Sequence, residues 1–205
     1  MLPITDEQAK LGQEVVKALR GSGSYLADIL GDLPKDFLGQ LIGDRVKARR
    51  IEKAAVLWKK TQERLRDLGV HEPEPPSLKF AIPILEAAVD EDNEGLQDLW
   101  ARLLAASMDP KRRDGMRQSF VETVKQMDPM DALVLEAIRE NGDAQWAPSG
   151  AQAVGTSLSC SRDEAIVSFE HLAKLGCVYF KDSTGPRIAP YLLPFGKLLP
   201  NIVSG

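Results

Sequence analysis

Only two cysteines and two histidines occur in this 205-residue chain. Cys160 and Cys177 are too few for a disulfide framework, and His71 with His171 cannot supply a histidine-based metal cluster. Aromatic residues make up 6% of the sequence, and no apolar run reaches the roughly 18 residues of a spanning helix. An excess of basic charge is missing too. Twenty-six Lys and Arg face 30 Asp and Glu, so the net charge of -4 gives no bulk attraction to nucleic acid, and an anionic partner must be met by a local patch. The stretch from Met1 to Arg20 lacks the apolar core of a secretory signal. A reducing, cytoplasmic location is the expectation. What the chain does have is 43% hydrophobic and 27% charged residues, enough to bury a core in one or two ordinary domains.

Hydrophobic spacing reads as helix through the first half. Thr5 and Gln8 form a capping-box pair before Leu11, Val15 and Leu19, and the Gly21 to Ser24 run stops that helix. A short amphipathic piece, Tyr25 to Leu30, follows. From Lys35 to about Gly69 the pattern is helical again, and Ile51, Ala54, Trp58, Thr61, Leu65 and Leu68 form a narrow seam that wants a partner helix. Pro73, Pro75 and Pro76 make the next segment a stiff connector. Phe80 to Val89 and then Leu96 to Leu104 read as two helices around a turn, with Asp92 or Asn93 capping the second and Asp109-Pro110 ending it. A polar stretch around Gly115 divides a helical domain, residues 1–115, from a second domain, residues 116–205.

In the second half, Asp128-Pro129 starts a helix that runs to Asn141-Gly142, and a short helix lies around Ser149 to Gly155. Ser161 and Glu164 have capping-box spacing ahead of a helix with Ile166, Phe169, Leu172 and Ala173 inward. Gly176 closes it. Cys177 to Phe180 is β-rich, Asp182 to Gly185 is turn chemistry, and Arg187 to Leu192 supplies a return strand whose Pro190 suits an edge. The predicted fold class is mostly α: an N-terminal helical domain with a long basic helix, then a C-terminal winged-helix-like domain of α-helices and a β-hairpin. Phe195 to Val203 reads as a closing helix.

No residue pattern nominates a catalytic site, a metal or a cofactor. His71 sits in the proline connector, His171 is mid-helix, Cys160 reads as a small residue in a turn and Cys177 as strand core. The acids Glu86, Asp90, Glu91, Asp92, Glu94 and Asp98 lack calcium-loop spacing and suit a helix N-terminus instead. The strongest electrostatic feature is residues 45–66, where nine bases face only Glu52 and Glu63, a local charge of +7. Arg49, Arg50, Lys53, Lys59 and Lys60 are its candidate interaction residues, for anionic lipid, for a protein partner or for the chain's own acidic segment. The Gly39 and Gly43 spacing is only a weak membrane signal. If the winged region met DNA, Arg162, Lys181 and Arg187 are the contacts to expect, yet Asp163, Glu164 and Glu170 make the third helix acidic and argue against it.

The string Glu91-Asp92, then Leu96-Gln97-x-Leu99-Trp100-Ala101-x-Leu103-Leu104-Ala105, together with Pro83 to Ala88, Met108-Asp109-Pro110, Met127 to Ala132 and Leu172 to Gly176, resembles the abortive infection alpha family of bacterial proteins over about residues 40–200. The resemblance implies defence against phage and carries no catalytic site with it. Its motif residues here are Glu86, Glu91, Asp92 and Trp100, the last expected to be structural. The resulting expectation is a non-enzymatic interaction protein acting through helical surfaces on a protein partner, with a homodimer through the seam as one form of it. A DNA-binding regulator and a membrane-acting effector are the competing classes. No small-molecule substrate is expected.

Overall fold

A computed structural model describes residues 47–145, 150–181 and 189–192. The expected helices before residue 47, the Gly39–Gly43 pair, the turn at 182–185, Arg187 and the closing helix at 195–203 lie outside the described residues. The chain is mostly α-helical. It divides into two compact units, Met1–Asp92 with Trp100–Asp114, and Asn93–Leu99 with Gly115–Gly205.

In the first unit, helix α1 (Lys47–Asp67) packs on α2 (Leu78–Asp90). Trp58, Thr61 and Leu65 of the predicted seam are buried, and Leu57 is buried beside them. Ala54 and Leu68 are half-buried. Thr61 hides its hydroxyl by donating to the Leu57 carbonyl at 2.8 Å. The helix stops because Gly69 takes φ +66°, which lets Gly69 N–H donate to Arg66 O and Val70 N–H to Leu65 O, both at 2.9 Å. The proline connector is tied down by Glu74 N–H on the Met108 carbonyl at 2.8 Å. Helix α2 begins earlier than predicted, at Leu78, and contains Pro83. It buries Ala81, Ile84, Leu85, Ala88 and Val89.

Helix α3 (Glu94–Met108) starts where the sequence placed it, and Asn93 is its cap: the side-chain oxygen accepts from Leu96 N–H at 3.1 Å. From Trp100 to Asp109 every residue except Arg102 is buried, and Trp100 is 2% exposed. Asp109 is buried as well. Its carboxylate accepts from Lys111 N–H at 2.9 Å and pairs with Arg112 at 2.5 Å, so the buried charge is satisfied at the end of the helix. A single 3-10 turn, Arg113–Gly115, follows.

The second unit contains α4 (Gln118–Gln126), α5 (Pro129–Gln145), α6 (Gly150–Leu158), α7 (Arg162–Lys174) and the strands β1 (Val178–Lys181) and β2 (Ala189–Leu192). Helix α5 continues past Asn141-Gly142, a correction to its predicted end, since one glycine costs a helix only about 1 kcal/mol. Helix α6 likewise runs beyond Gly155 to Leu158. Gly155 is buried where the following turn returns against it, and a Cβ there would lie 3.0 Å from the Cys160 carbonyl oxygen. The capping box at α7 forms as spaced: Glu164 N–H donates to Ser161 Oγ at 3.1 Å, and Ser161 N–H to Glu164 Oε2 at 2.8 Å. The Ser161 N–H, and then the Ser161 side chain, hold the Glu164 carboxyl below its ordinary value. Ala165, Ser168, Phe169 and Leu172 form the buried face of α7, with Ile166 and Ala173 half-buried. Gly176 at φ +74° ends it, and Cys177 N–H reaches Leu172 O at 2.8 Å. The strands pair antiparallel, Val178 opposite Leu192 and Lys181 opposite Ala189.

Candidate functional site

Two polar constellations stand out, one in each unit. In the first, three of the five candidate bases of α1 meet Asp90, the last residue of α2, and Asp92 just beyond it. Arg50 makes a bidentate pair with Asp90, Nε to Oδ1 and Nη2 to Oδ2, both at 2.7 Å. Arg49 donates to both oxygens of Asp92, and Lys53 Nζ stands 3.3 Å from Asp92 Oδ1. The Arg49 guanidinium, then Lys53, hold the Asp92 carboxyl below its ordinary value. Asp92 is exposed, so solvent and salt screen these pairs. Lys59 is exposed and makes no ion pair among the described residues, while Lys60 is half-buried. The basic run is therefore partly answered from within its own unit.

The family-motif residues separate in the same way. Asp92 anchors the basic helix, Trp100 belongs to the core, Glu86 is exposed and Glu91 is half-buried. Of the three residues expected at DNA, Arg162 is exposed at the first position of α7 and Lys181 ends β1. Arg187 lies outside the described residues.

The second constellation was not foreseen. Asp131, in the first turn of α5, is 1% exposed and collects three groups. Its Oδ1 accepts the Ser168 hydroxyl. Its Oδ2 accepts Asp128 N–H at 2.8 Å and lies 2.6 Å from Nδ1 of His171. Ser168 and His171 are one turn apart on α7, so the carboxylate ties that helix to the start of α5. A carboxylate on Nδ1 favours the tautomer with the proton there and leaves Nε2 as an acceptor. The serine gives its proton to the carboxylate and not to the imidazole, which is the wrong order for activating a nucleophile.

Asp128, Asp131 and His171 also bring one potential metal-ligand atom each within 4.8 Å of one another. The 2.6 Å between Asp131 and His171 is a hydrogen-bond separation, however, and two ligands on one tetrahedral zinc stand about 3.3 Å apart. The donor set therefore fits a hydrogen-bonded hub better than a metal centre. Nearby Cys177 is fully buried, and burial, with the Asp131 charge adding to it, pushes its thiol up to about 12. The available signal for this hub was the Asp-Pro-x-Asp spacing at a helix start, combined with a serine and a histidine on the inner stripe of α7.

Among the described residues no helix is long and apolar enough to cross a membrane. No curated protein and no solved structure matches the chain. The family model described as abortive infection alpha matches residues 51–189, a span that includes the basic helix from Ile51, the acidic turn, Trp100 and the Asp131 hub. With more than half of its length matched, the chain belongs to the abortive infection alpha family.

Proposed function

We propose that this chain serves abortive infection defence in the bacterial cytoplasm as a non-enzymatic protein that binds a protein partner through helical surfaces, with α5, α6, α7 and the hairpin forming a winged-helix-like scaffold. The observation that carries this reading is the outer face of α7. Asp163, Glu164, Val167 and Glu170 are exposed there beside Arg162 and Lys174, and Val167 is 67% exposed. Phosphate contacts supply most of the affinity for DNA, so an acidic face centred on an exposed valine disfavours a duplex and suits a partner with basic and apolar groups. The partner is another protein or a second copy of the chain.

The test is capture by the tagged full chain from infected and uninfected cells, with Val167→Asp as the control. Val167 is on the surface, so the substitution should leave the fold intact. The expected outcome is one protein retained by the native chain and lost by the variant, with only salt-sensitive, sequence-independent binding to DNA in gel shifts. Tight sequence-specific binding abolished by Arg162→Ala would establish a DNA-binding regulator instead. Release of vesicle contents by the purified chain would establish a membrane-acting effector.

A further inference from the structure

The first unit holds an open cavity of about 370 Å³ where the end of α1 meets the proline connector. Its apolar wall is Leu65, Val70 and Pro73, and Trp58, Gln62, Arg66 and His71 complete it. That volume is within the range of small-molecule sites. The indole Nε1 of Trp58 is buried and has no hydrogen-bond partner, the one such side-chain atom among the described residues. A buried donor without an acceptor is costly, so its persistence calls for an acceptor that the described residues do not provide. Arg66 is exposed and makes only a 3.4 Å contact from Nε to the Gln62 carbonyl; among the described residues it has no carboxylate partner. His71 is exposed beside it, and no described carboxylate lines the cavity.

From an apolar-walled cavity lined by an exposed guanidinium without a carboxylate partner, by an imidazole, and by Trp58, whose indole N–H is unsatisfied, we infer that it binds a small anionic molecule, a carboxylate or phosphate on an apolar body. The anion takes the guanidinium in a charge-assisted bond and the apolar body lies against Leu65, Val70 and Pro73. The site is independent of the α7 surface, and a ligand bound there undergoes no reaction.

The test is an NMR titration of the full chain, reading the indole N–H resonance of Trp58, assigned by its disappearance in Trp58→Phe. Phenyl phosphate and phenylacetate are the two anionic probes, benzyl alcohol the neutral one, and inorganic phosphate the anion without an apolar body. The expected result is a saturable shift with one or both anionic probes, their relative affinities deciding between phosphate and carboxylate. Arg66→Met should then weaken the better probe about tenfold without altering the melting temperature. His71→Ala should weaken it as well. A resonance unmoved by either anionic probe up to about 10 mM means that water alone satisfies the indole, and it overturns the proposal. Equal binding of benzyl alcohol, or an Arg66→Met variant that binds like the native chain, overturns it too.

Discussion

His171 and Asp131, forty residues apart in sequence, meet at 2.6 Å, and the carboxylate that receives the imidazole is almost wholly buried. Because the same carboxylate accepts the Ser168 hydroxyl and the Asp128 N–H, one side chain organises the start of α5 and the inner face of α7. Such a hub acts through the donors it satisfies. Removing the acceptor strands them, whereas removing one donor leaves the others in place.

Asp131→Ala is therefore expected to cost about 3 kcal/mol in urea denaturation, and His171→Ala about 1 kcal/mol, because the imidazole is only half-buried. Ser168→Ala should fall between them. Equal losses for Asp131→Ala and His171→Ala would show that the imidazole, and not the carboxylate, is the organising group.

Local signals were legible in the sequence wherever one residue type has one physical use. Gly69 and Gly176 mark helix ends because each takes a positive φ, and the Ser161–Glu164 spacing formed the box it predicted. Trp58, Thr61 and Leu65 read as a buried stripe from periodicity alone. Leu57 was missed because its neighbour Trp58 already occupied that face in a narrow seam, and a helix packed on a partner buries a wider stripe. Gly142 misled in the opposite direction, as a single weak helix former is overridden by the turns around it. The Asp131 hub is only faintly marked, by the Asp-Pro-x-Asp spacing at a helix start. Its members are polar, so a hydrophobic pattern passes over them, and their meeting depends on how α7 packs against α5.

Gly155→Ala is a case in which helix propensity and packing oppose each other. Alanine is favoured by about 1 kcal/mol in a helix interior. Here its Cβ would sit 3.0 Å from the Cys160 carbonyl oxygen and 3.4 Å from that of Ser161, both backbone atoms that cannot swing aside. Overpacking of this kind costs about 1–3 kcal/mol, so the net change should be destabilising and should appear as a lowered melting temperature. A variant as stable as the native chain or more so would mean that the turn after α6 yields freely.

The two cysteines should differ in reactivity. Cys177 is fully buried and its thiol is pushed up to about 12, so at pH 8 it holds almost no thiolate; Cys160 is half-buried in the turn before α7. A thiol reagent is expected to label one cysteine per folded chain, identified as Cys160 by peptide mapping, and both after denaturation. Labelling of Cys177 in the folded chain at a comparable rate would indicate that the second unit opens readily there.

The ion pairs of α1 give a pH prediction with a definite sign. Asp92 has its carboxyl held below the ordinary aspartate value of 3.8, first by Arg49 and then by Lys53. A depressed folded-state value means that the contribution of the pair is present above the unfolded value and is lost as pH falls through the folded one. NMR titration of the Asp92 side chain should accordingly give a midpoint below 3.8 in the native chain. Arg49→Ala should raise that midpoint further than Lys53→Ala does. Salt should move the native value in the same direction, because these groups are exposed and screening weakens them. The Lys59→Glu, Lys60→Glu double variant makes the complementary case: Lys59 is not among the bases on Asp92, so the reversal should shift the Asp92 midpoint much less than Arg49→Ala. If it instead weakens self-association in low salt, Lys59 and Lys60 are the part of the basic run that faces another molecule. A native midpoint at or above 3.8 would mean that Arg49 and Lys53 do not hold Asp92 in solution, leaving those two bases open to a partner.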